Sequence, residues 1–524
     1  LLKAYQAWGK DCIYKFNGMF AFAIWDNREN ELFIARDRYG IKPLYYYYKN
    51  GVFVFASEIK AILKHPAVSV KVCREALNEY FSFQNVFTDL TLFKDIKMLP
   101  AASMLSLKLG DLNSLKIKQY WDYNFEDNGD TDEAEYVEEL ARLFEQAVNR
   151  QLISDVEIGS YLSGGMDSGS VTSIAAKNFK NLKTFTCGFD LSSASGLELG
   201  FDERHKAEFL SNIYKTEHYE IVLKAGDMER VMSQLIWHLE DLRIGQSYPN
   251  FYVARLASKF VKVILSGSGG DELFAGYPWR YYRAVVNDDK EHYIEKYYQY
   301  WQRLIPDSYK PRFYNENIYP DIKSYPCKDV FRGVLEKKMK NKIMPEEYVN
   351  HSLYFEAKTF LHGILVVEDK LSMAHSLETR VPFLDNDLVD FAMKVPVKHK
   401  LKNLSEVIRI NENIPGPKTE RFFAQNSDGK NILRKALSKY VPESYTSGLK
   451  QGFSAPDASW FKGESNDYIK SILFNKRARI YDFIQPAMAQ ELMNEHFDGK
   501  TNRRLLIWSL LCFEWWSKIF DPVE

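Results

Sequence analysis

The rhythm of apolar positions along the chain changes near residue 124. Before that point, short apolar runs alternate with turn residues. Phe20-Ala21-Phe22-Ala23-Ile24-Trp25 and Glu31-Leu32-Phe33-Ile34-Ala35-Arg36 flank Asp26-Asn27-Arg28-Glu29-Asn30, which predicts a β-hairpin. Leu44-Tyr45-Tyr46-Tyr47-Tyr48 and Val52-Phe53-Val54-Phe55 flank Lys49-Asn50-Gly51, and Asn-Gly favours a tight turn. These runs are almost continuously apolar, as expected of strands covered on both faces. The stretch 124–132 is acidic and polar and reads as a linker or helix approach. Residues 135–152 then show helical spacing, with Leu140, Leu143, Phe144, Ala147 and Val148 on one face. Strand candidates at 182–189, 218–223 and 262–265 alternate with helix candidates at 203–214, 226–239 and 249–260. That alternation predicts an α/β fold, a doubly wound parallel sheet with helices on both faces. Beyond residue 275 the pattern is mostly helical.

Composition narrows the class. A chain of 524 residues is too long for one core. With 46% hydrophobic and 27% charged residues it reads as globular. Lys and Arg number 69 against 70 Asp and Glu, so no net field favours nucleic acid, and the basic run at 336–342 reads as a solvated helix face. Five scattered cysteines (Cys12, Cys73, Cys187, Cys327, Cys512) form no Cys-x-x-Cys, which predicts a reducing, cytoplasmic setting without a disulfide frame or zinc site. The longest apolar run, 505–513, is too short to span a bilayer and reads as a buried helix. The clustered aromatics at 277–282 and 293–301 read as helix packing.

Two glycine turns carry the candidate chemistry. Ser163-Gly164-Gly165-Met166-Asp167-Ser168 follows the apolar stretch 158–162 and precedes a helical run. A strand, a small-residue turn and a helix make an anion site, because backbone N–H groups point at the anion. Ser163 and Ser168 add hydroxyl donors, and Asp167 suits a magnesium ion. No Walker A motif is present. Ser266-Gly267-Ser268-Gly269-Gly270-Asp271-Glu272 follows the strand candidate 261–265 and repeats the arrangement with two carboxylates. Both turns lie just past the carboxyl ends of strands, where such sheets bind ligands. Asp167 and Asp271 are candidate ligands for magnesium bridging leaving phosphates. Residues 368–385, with interleaved charged and small residues, fit a helix lining a polar cleft, and Lys450 sits in a glycine-flanked loop.

In combination, Ser-Gly-Gly-x-Asp-Ser at 163–168, Leu-Ser-Gly-x-Gly-Gly-Asp-Glu at 265–272 and Glu-x-Arg-Val-Pro-Phe-Leu-Asp at 378–385 resemble the glutamine-dependent asparagine synthetases that carry an N-terminal glutaminase. The segments 16–22 and 36–45 resemble the back half of that glutaminase domain, so the resemblance covers nearly the whole chain. It implies part of a four-layer αββα glutaminase sandwich over 1–123. An ATP-pyrophosphatase domain with a helical C-terminal part would follow over 124–524. It implies pyrophosphate at Ser163, Gly164, Gly165, Asp167 and Ser168, and magnesium at Asp167 and Asp271. Adenosine would meet the backbone at Tyr161, Leu162, Cys187, Ser266 and Gly267. Lys450 would stabilise charge as an acyl-adenylate forms and breaks down, and Glu378 would stand near the substrate end as an orienting or proton-handling group. The activity implied is ATP-dependent amidation of aspartate to asparagine through aspartyl-adenylate, with AMP and pyrophosphate released and ammonia drawn from glutamine. Partners would be small molecules (aspartate, glutamine or ammonia), with neither nucleic acid nor membrane, and a homodimer is left open.

The match has gaps. In that family an N-terminal cysteine is the glutaminase nucleophile, whereas this sequence begins at Leu1. As written, the chain is expected not to hydrolyse glutamine, and it reads as a fragment of sequence rather than an evolved truncation. Ser268 stands where the family usually has an acid. The loop 240–247 also departs from the usual substrate loop, although Arg243 and Asp241 are candidates to clamp an α-carboxylate and an α-ammonium. Amidation of another carboxylate (sugar, peptide or lactam precursor) and a non-catalytic nucleotide-binding paralogue therefore stay open. Substitution of Lys450 by Ala is expected to leave ATP affinity intact and slow turnover. Loss of ATP affinity alone, read by equilibrium binding, would make the lysine a ground-state binder instead.

Overall fold

Two sheets form face to face in the first 119 residues of the computed structural model, which describes residues 1–126, 132–285, 289–339, 345–402, 428–447 and 454–521. The first expected hairpin forms as β1 (Ala21–Asp26) and β2 (Glu31–Arg36), in register from Ala21 opposite Arg36 to Asp26 opposite Glu31. The second forms as β3 (Tyr45–Lys49) and β4 (Val52–Ala56). With β5 (Ile96–Met98), β6 (Ser103–Lys108) and β7 (Asp111–Gln119), they give sheets of order β1-β2-β6-β7 and β4-β3-β5. Ile34, Leu105 and Leu107 of one sheet meet Tyr46 of the other, with Leu44 and Leu99, in a shared core. The helical segments from Leu2 to Lys15 cover one outer face through Cys12 and Ile13. Arg74–Phe83 covers the other through Ala76, Leu77 and Tyr80. The order of layers is α, β, β, α. The expectation of strands covered on both faces needs correction for β1 and β4. Both are sheet edges, and Trp25 and Phe55 remain 44% and 36% exposed, whereas the interior strand β2 is nearly all buried.

The second sheet system is parallel throughout. Its strands are β8 (Ile158–Tyr161), β9 (Lys183–Phe189), β10 (Glu217–Leu223), β11 (Val263–Leu265) and β12 (Glu378–Arg380), in the order β10-β9-β8-β11-β12. The chain winds outward from β8 to β10, then returns to place β11 on the other side of β8. Strand order therefore reverses between β8 and β11. Helices Glu133–Gln151 and Met166–Asn178 pack on one face against Ile158, Val263 and Leu265. Helices Asp227–Leu239, Tyr248–Ala257, His362–Met373 and Arg504–Phe520 pack on the other against Phe185, Phe189 and Ile264. The run at 505–513 is a buried helix, as its pattern predicts. Among the described residues, no helix is long and apolar enough to cross a membrane.

The N-terminal sandwich joins the parallel-sheet unit through buried ion pairs. Glu240, fully buried at the end of Asp227–Leu239, accepts hydrogen bonds from the Ile59 and Lys60 amides at 3.0 and 2.8 Å and from Lys370 Nζ at 2.8 Å. Lys42 meets Asp369 at 2.7 Å. Burial alone would push the Glu240 carboxyl upward, but the Lys370 and Lys60 ammonium groups and the hydrogen bonds hold it below the usual carboxylate range. Its stabilisation is therefore complete above the ordinary glutamate pKa of about 4.3 and is lost as pH falls through the lowered folded-state value. Glu240→Ala leaves Lys370 buried without this partner and should cost about 3–5 kcal/mol, read as a fall in thermal midpoint. Adding Lys370→Met should recover part of it.

Candidate active site

The site is built where strand order reverses, at the carboxyl ends of β8 and β11, the crevice in which open α/β sheets receive ligands. At the end of β8, Tyr161 is half-buried and Leu162 fully buried, with the Leu162 N–H donating to the Phe185 carbonyl at 3.0 Å. The chain then turns through Ser163-Gly164-Gly165 into the helix Met166–Asn178, whose N-cap is Gly165. The Ser163 N–H donates to Ser168 Oγ at 3.1 Å, the two hydroxyls lie 2.9 Å apart, and the Gly165 N–H donates to Ser163 Oγ at 3.1 Å. The serines thus brace the turn internally. Cys187, on β9, is buried, and burial pushes its thiol upward, away from the reactive thiolate form.

The loop after β11 is anchored by the Ser266 N–H, which donates to the Arg380 carbonyl at 2.8 Å. Gly267 crosses directly over the first loop. A Cβ there would stand 2.8 Å from the Ser168 nitrogen, closer than real Cβ contacts come. Gly269 adopts φ +103°, a conformation open to glycine, and launches the helical turn Gly270–Leu273 that carries Asp271. The Ser266 and Ser268 hydroxyls lie 3.0 Å apart, and Ser268 Oγ donates to Glu368 Oε2 at 2.7 Å. Burial pushes the Glu368 carboxyl upward against hydrogen bonds from Ser266 and Ser268. Burial, with Glu368 nearby, also raises Tyr161.

The two metal-candidate carboxylates meet. Asp167 Oδ2 and Asp271 Oδ1 lie 2.5 and 2.6 Å from the same Lys430 Nζ. Asp167 Oδ1 is buried and accepts no hydrogen bond within the protein. Lys430, 5% exposed, takes a left-handed φ of +59° at the start of the helix Asn431–Leu437, and its N–H donates to the Phe274 carbonyl at 3.0 Å. Half-buried Arg434, one turn further, feels both carboxylates. Among the described residues no group of three or more His, Cys, Asp or Glu forms a metal cluster. Two carboxylates beside a glycine turn at a helix N-terminus do fit magnesium, which retains waters and takes one or two carboxylates together with substrate phosphates.

The residues expected at 161–168, 266–267 and 271 therefore converge, with Cys187 on the neighbouring strand. Three expectations fare differently. Glu378 does not join them. It opens β12, level with Val263 and Ile158 at the amino end of the sheet, about 10 Å of strand away from the loops, and pairs with Arg380 at 2.7 Å. Parallel strands send their loops out at the opposite end, which is why this acid misses the site. Asp241 and Arg243 do not face a ligand either. Both are buried and paired at 2.7 Å, and Arg243 also donates to the Val86 and Leu90 carbonyls. Lys450 lies outside the described residues. Conversely, sequence reasoning missed Lys430 and Glu368. A lysine after glycine in Asp428-Gly429-Lys430 is a faint signal, and Glu368 stands ten residues before the acid chosen in its place.

The architecture is an αββα sandwich followed by a parallel sheet with paired glycine loops at its strand-order reversal. The sequence model for asparagine synthase matches residues 139–518 and that for a glutamine amidotransferase domain matches residues 1–121. The chain belongs to the asparagine synthase family of carbon–nitrogen ligases. The glutamine-hydrolyzing asparagine synthetase 1 of Bacillus subtilis (strain 168) is 30% identical over 550 residues, spanning 99% of this chain and 80% of its own length. Synthetase 3 of the same strain is 29% identical, spanning 94% and 76%. The amidase chyE of Penicillium rubens (strain ATCC 28089 / DSM 1075 / NRRL 1951 / Wisconsin 54-1255) is 25% identical, spanning 95% and 78%. Gly267→Ala should force the two loops apart and weaken ATP binding at least tenfold while the thermal midpoint moves little, as measured by calorimetric titration and melting. Unchanged affinity would show that the loop contact is dispensable.

Proposed function

We propose that the chain uses ATP to activate a carboxylate as its acyl-adenylate and amidates it with ammonia, with aspartate as acceptor and glutamine as the nitrogen source. The observation that carries this reading is the convergence of Asp167 and Asp271, from two separate glycine loops, on one cationic position at the strand-order reversal. The turn 163–168 would cradle the β and γ phosphates with its N–H groups. Tyr161, Leu162, Cys187, Ser266 and Gly267 would offer backbone to the adenosine. Asp167 and Asp271 would hold magnesium, which when bound neutralises charge building on the leaving pyrophosphate. Lys430, Arg434 and Lys450 would add cations around the same oxygens. On the acceptor side, Glu368, which accepts from Ser268 Oγ, would face the incoming nitrogen.

A second acceptor is favoured by one observation. Arg243 and Asp241 are bound to each other in the buried interface, so neither would be available to clamp an amino-acid backbone, and on this second reading the acceptor would be a carboxylic acid other than aspartate. Five buried free thiols fit a reducing cytoplasm.

Magnesium-dependent pyrophosphate release with ATP, aspartate and ammonium, scored against asparagine formed, tests the reading. Equal yields are expected. Pyrophosphate released only with another acid would change the acceptor and keep the chemistry. Asp167→Ala should lower release at least a hundredfold, and wild-type turnover in that variant would remove the assigned metal position.

A further inference from the structure

Lys430 is placed by backbone rather than by chance side-chain reach. Its N–H is tied to the Phe274 carbonyl, and Gly429 before it passes so close to the Ala275 carbonyl that a Cβ would lie 2.2 Å from that oxygen. Asp271 stands in the same helical turn as Leu273, immediately before Phe274. The segment bearing Lys430 and the segment bearing Asp271 are therefore stitched together. The ammonium is buried and lies against one oxygen of each carboxylate. Small divalent cations require those same oxygens, and they shed water reluctantly.

We propose that Lys430 is an intrinsic counterion that occupies the divalent-cation position in the nucleotide-free protein, so that the metal enters only together with the nucleotide phosphates. The inference rests on the metal assignment made above. With Lys430 in place, the pair of carboxylates presents a net charge of one rather than two and shares its oxygens with Nζ. A free divalent cation must displace a buried ammonium and gains only two protein ligands. A cation arriving on a triphosphate brings its own oxygens, and the displaced ammonium then finds phosphate instead of carboxylate as its partner. Arg434, held by the Gly429 and Thr446 carbonyls one turn on, adds positive charge that both carboxylates feel.

The test is Mn2+ binding to the full chain, followed by electron paramagnetic resonance without ATP and with it. Wild-type protein should bind Mn2+ weakly alone and tightly with ATP. Lys430→Met should bind Mn2+ without ATP at least tenfold more tightly than wild type. That gain should vanish when Asp167→Asn is added, and Lys430→Arg should retain the weak binding. Lys430→Gln serves as a second neutral variant should Lys430→Met fail to fold by circular dichroism. Affinity in the neutral variants equal to or below wild type overturns the inference, as does an Lys430→Arg protein that gains as much as Lys430→Met. If Mn2+ binds with ATP in an Asp167-dependent way but the neutral variants show no gain, the counterion inference alone fails. If Mn2+ binds to none of them, with or without ATP, the metal assignment itself falls.

Discussion

Two carboxylates brought together from different loops repel, and the site exists because that repulsion is compensated. Asp167 and Asp271 present oxygens no more than about 5 Å apart through a common cation. At an effective dielectric of about 20, two such charges oppose each other by about 3 kcal/mol. The fold tolerates the pairing because each acid is fixed by an element it cannot leave. Asp167 lies in the first turn of the helix Met166–Asn178, where the helix dipole favours an anion. Asp271 lies in the first turn of Gly270–Leu273. The ammonium between them completes the compensation, and much of the local backbone can be understood as serving that meeting point. The glycines at 267 and 429 are positions where a side chain would push one of the three segments away from another, and Gly269 takes a φ of +103° packed against Leu384.

Much of this was legible in the sequence, for a physical reason. Strand, glycine turn and helix N-terminus are local features, and locality is what a one-dimensional pattern records. Both hairpins, four of the five parallel strands and both loops lie within a residue or two of the positions that apolar periodicity marks out, whereas the stretch 368–385, read as a helix, leaves the helix after Met373 and contributes β12. The errors are non-local. Strand β12 has only three residues, and its direction and level relative to β11 depend on the whole sheet, so the choice of Glu378 over Glu368 lay beyond any local pattern. Lys430 is 263 residues from Asp167, and its meeting with that acid is a consequence of tertiary packing alone. Arg243 and Asp241 looked like a substrate clamp because opposite charges two residues apart in a loop suit one. Burial against Val86 and Leu90 turned the same pair into an interface element.

The aromatic-rich segments show the same distinction between composition and context. Tyr281 and Tyr297 read as packing residues, and they do pack. Their hydroxyls also donate to the buried Glu356, which Arg280 meets at 2.9 Å. A carboxylate buried among rings is costly unless hydrogen-bonded, so tyrosine rather than phenylalanine is the residue these positions require.

The helix His362–Met373 is the element through which the two halves of the molecule are set in register. Three consecutive residues on it make three different attachments. Glu368 accepts from Ser268 at the glycine loop, Asp369 meets Lys42 of the N-terminal sandwich, and Lys370 meets the buried Glu240. Successive side chains on a helix diverge by about 100°, so the three contacts point toward three neighbours. Rotation that improves one contact breaks another, and translation along the axis strains all three. One end of the constraint is the acid facing the loops and another is the amidotransferase sandwich. The Glu368 side of the crevice is thus aligned with the N-terminal domain by charge pairs rather than by apolar packing alone, which would permit sliding. A mixed interface of this kind resists sliding of one domain over the other better than apolar packing alone would.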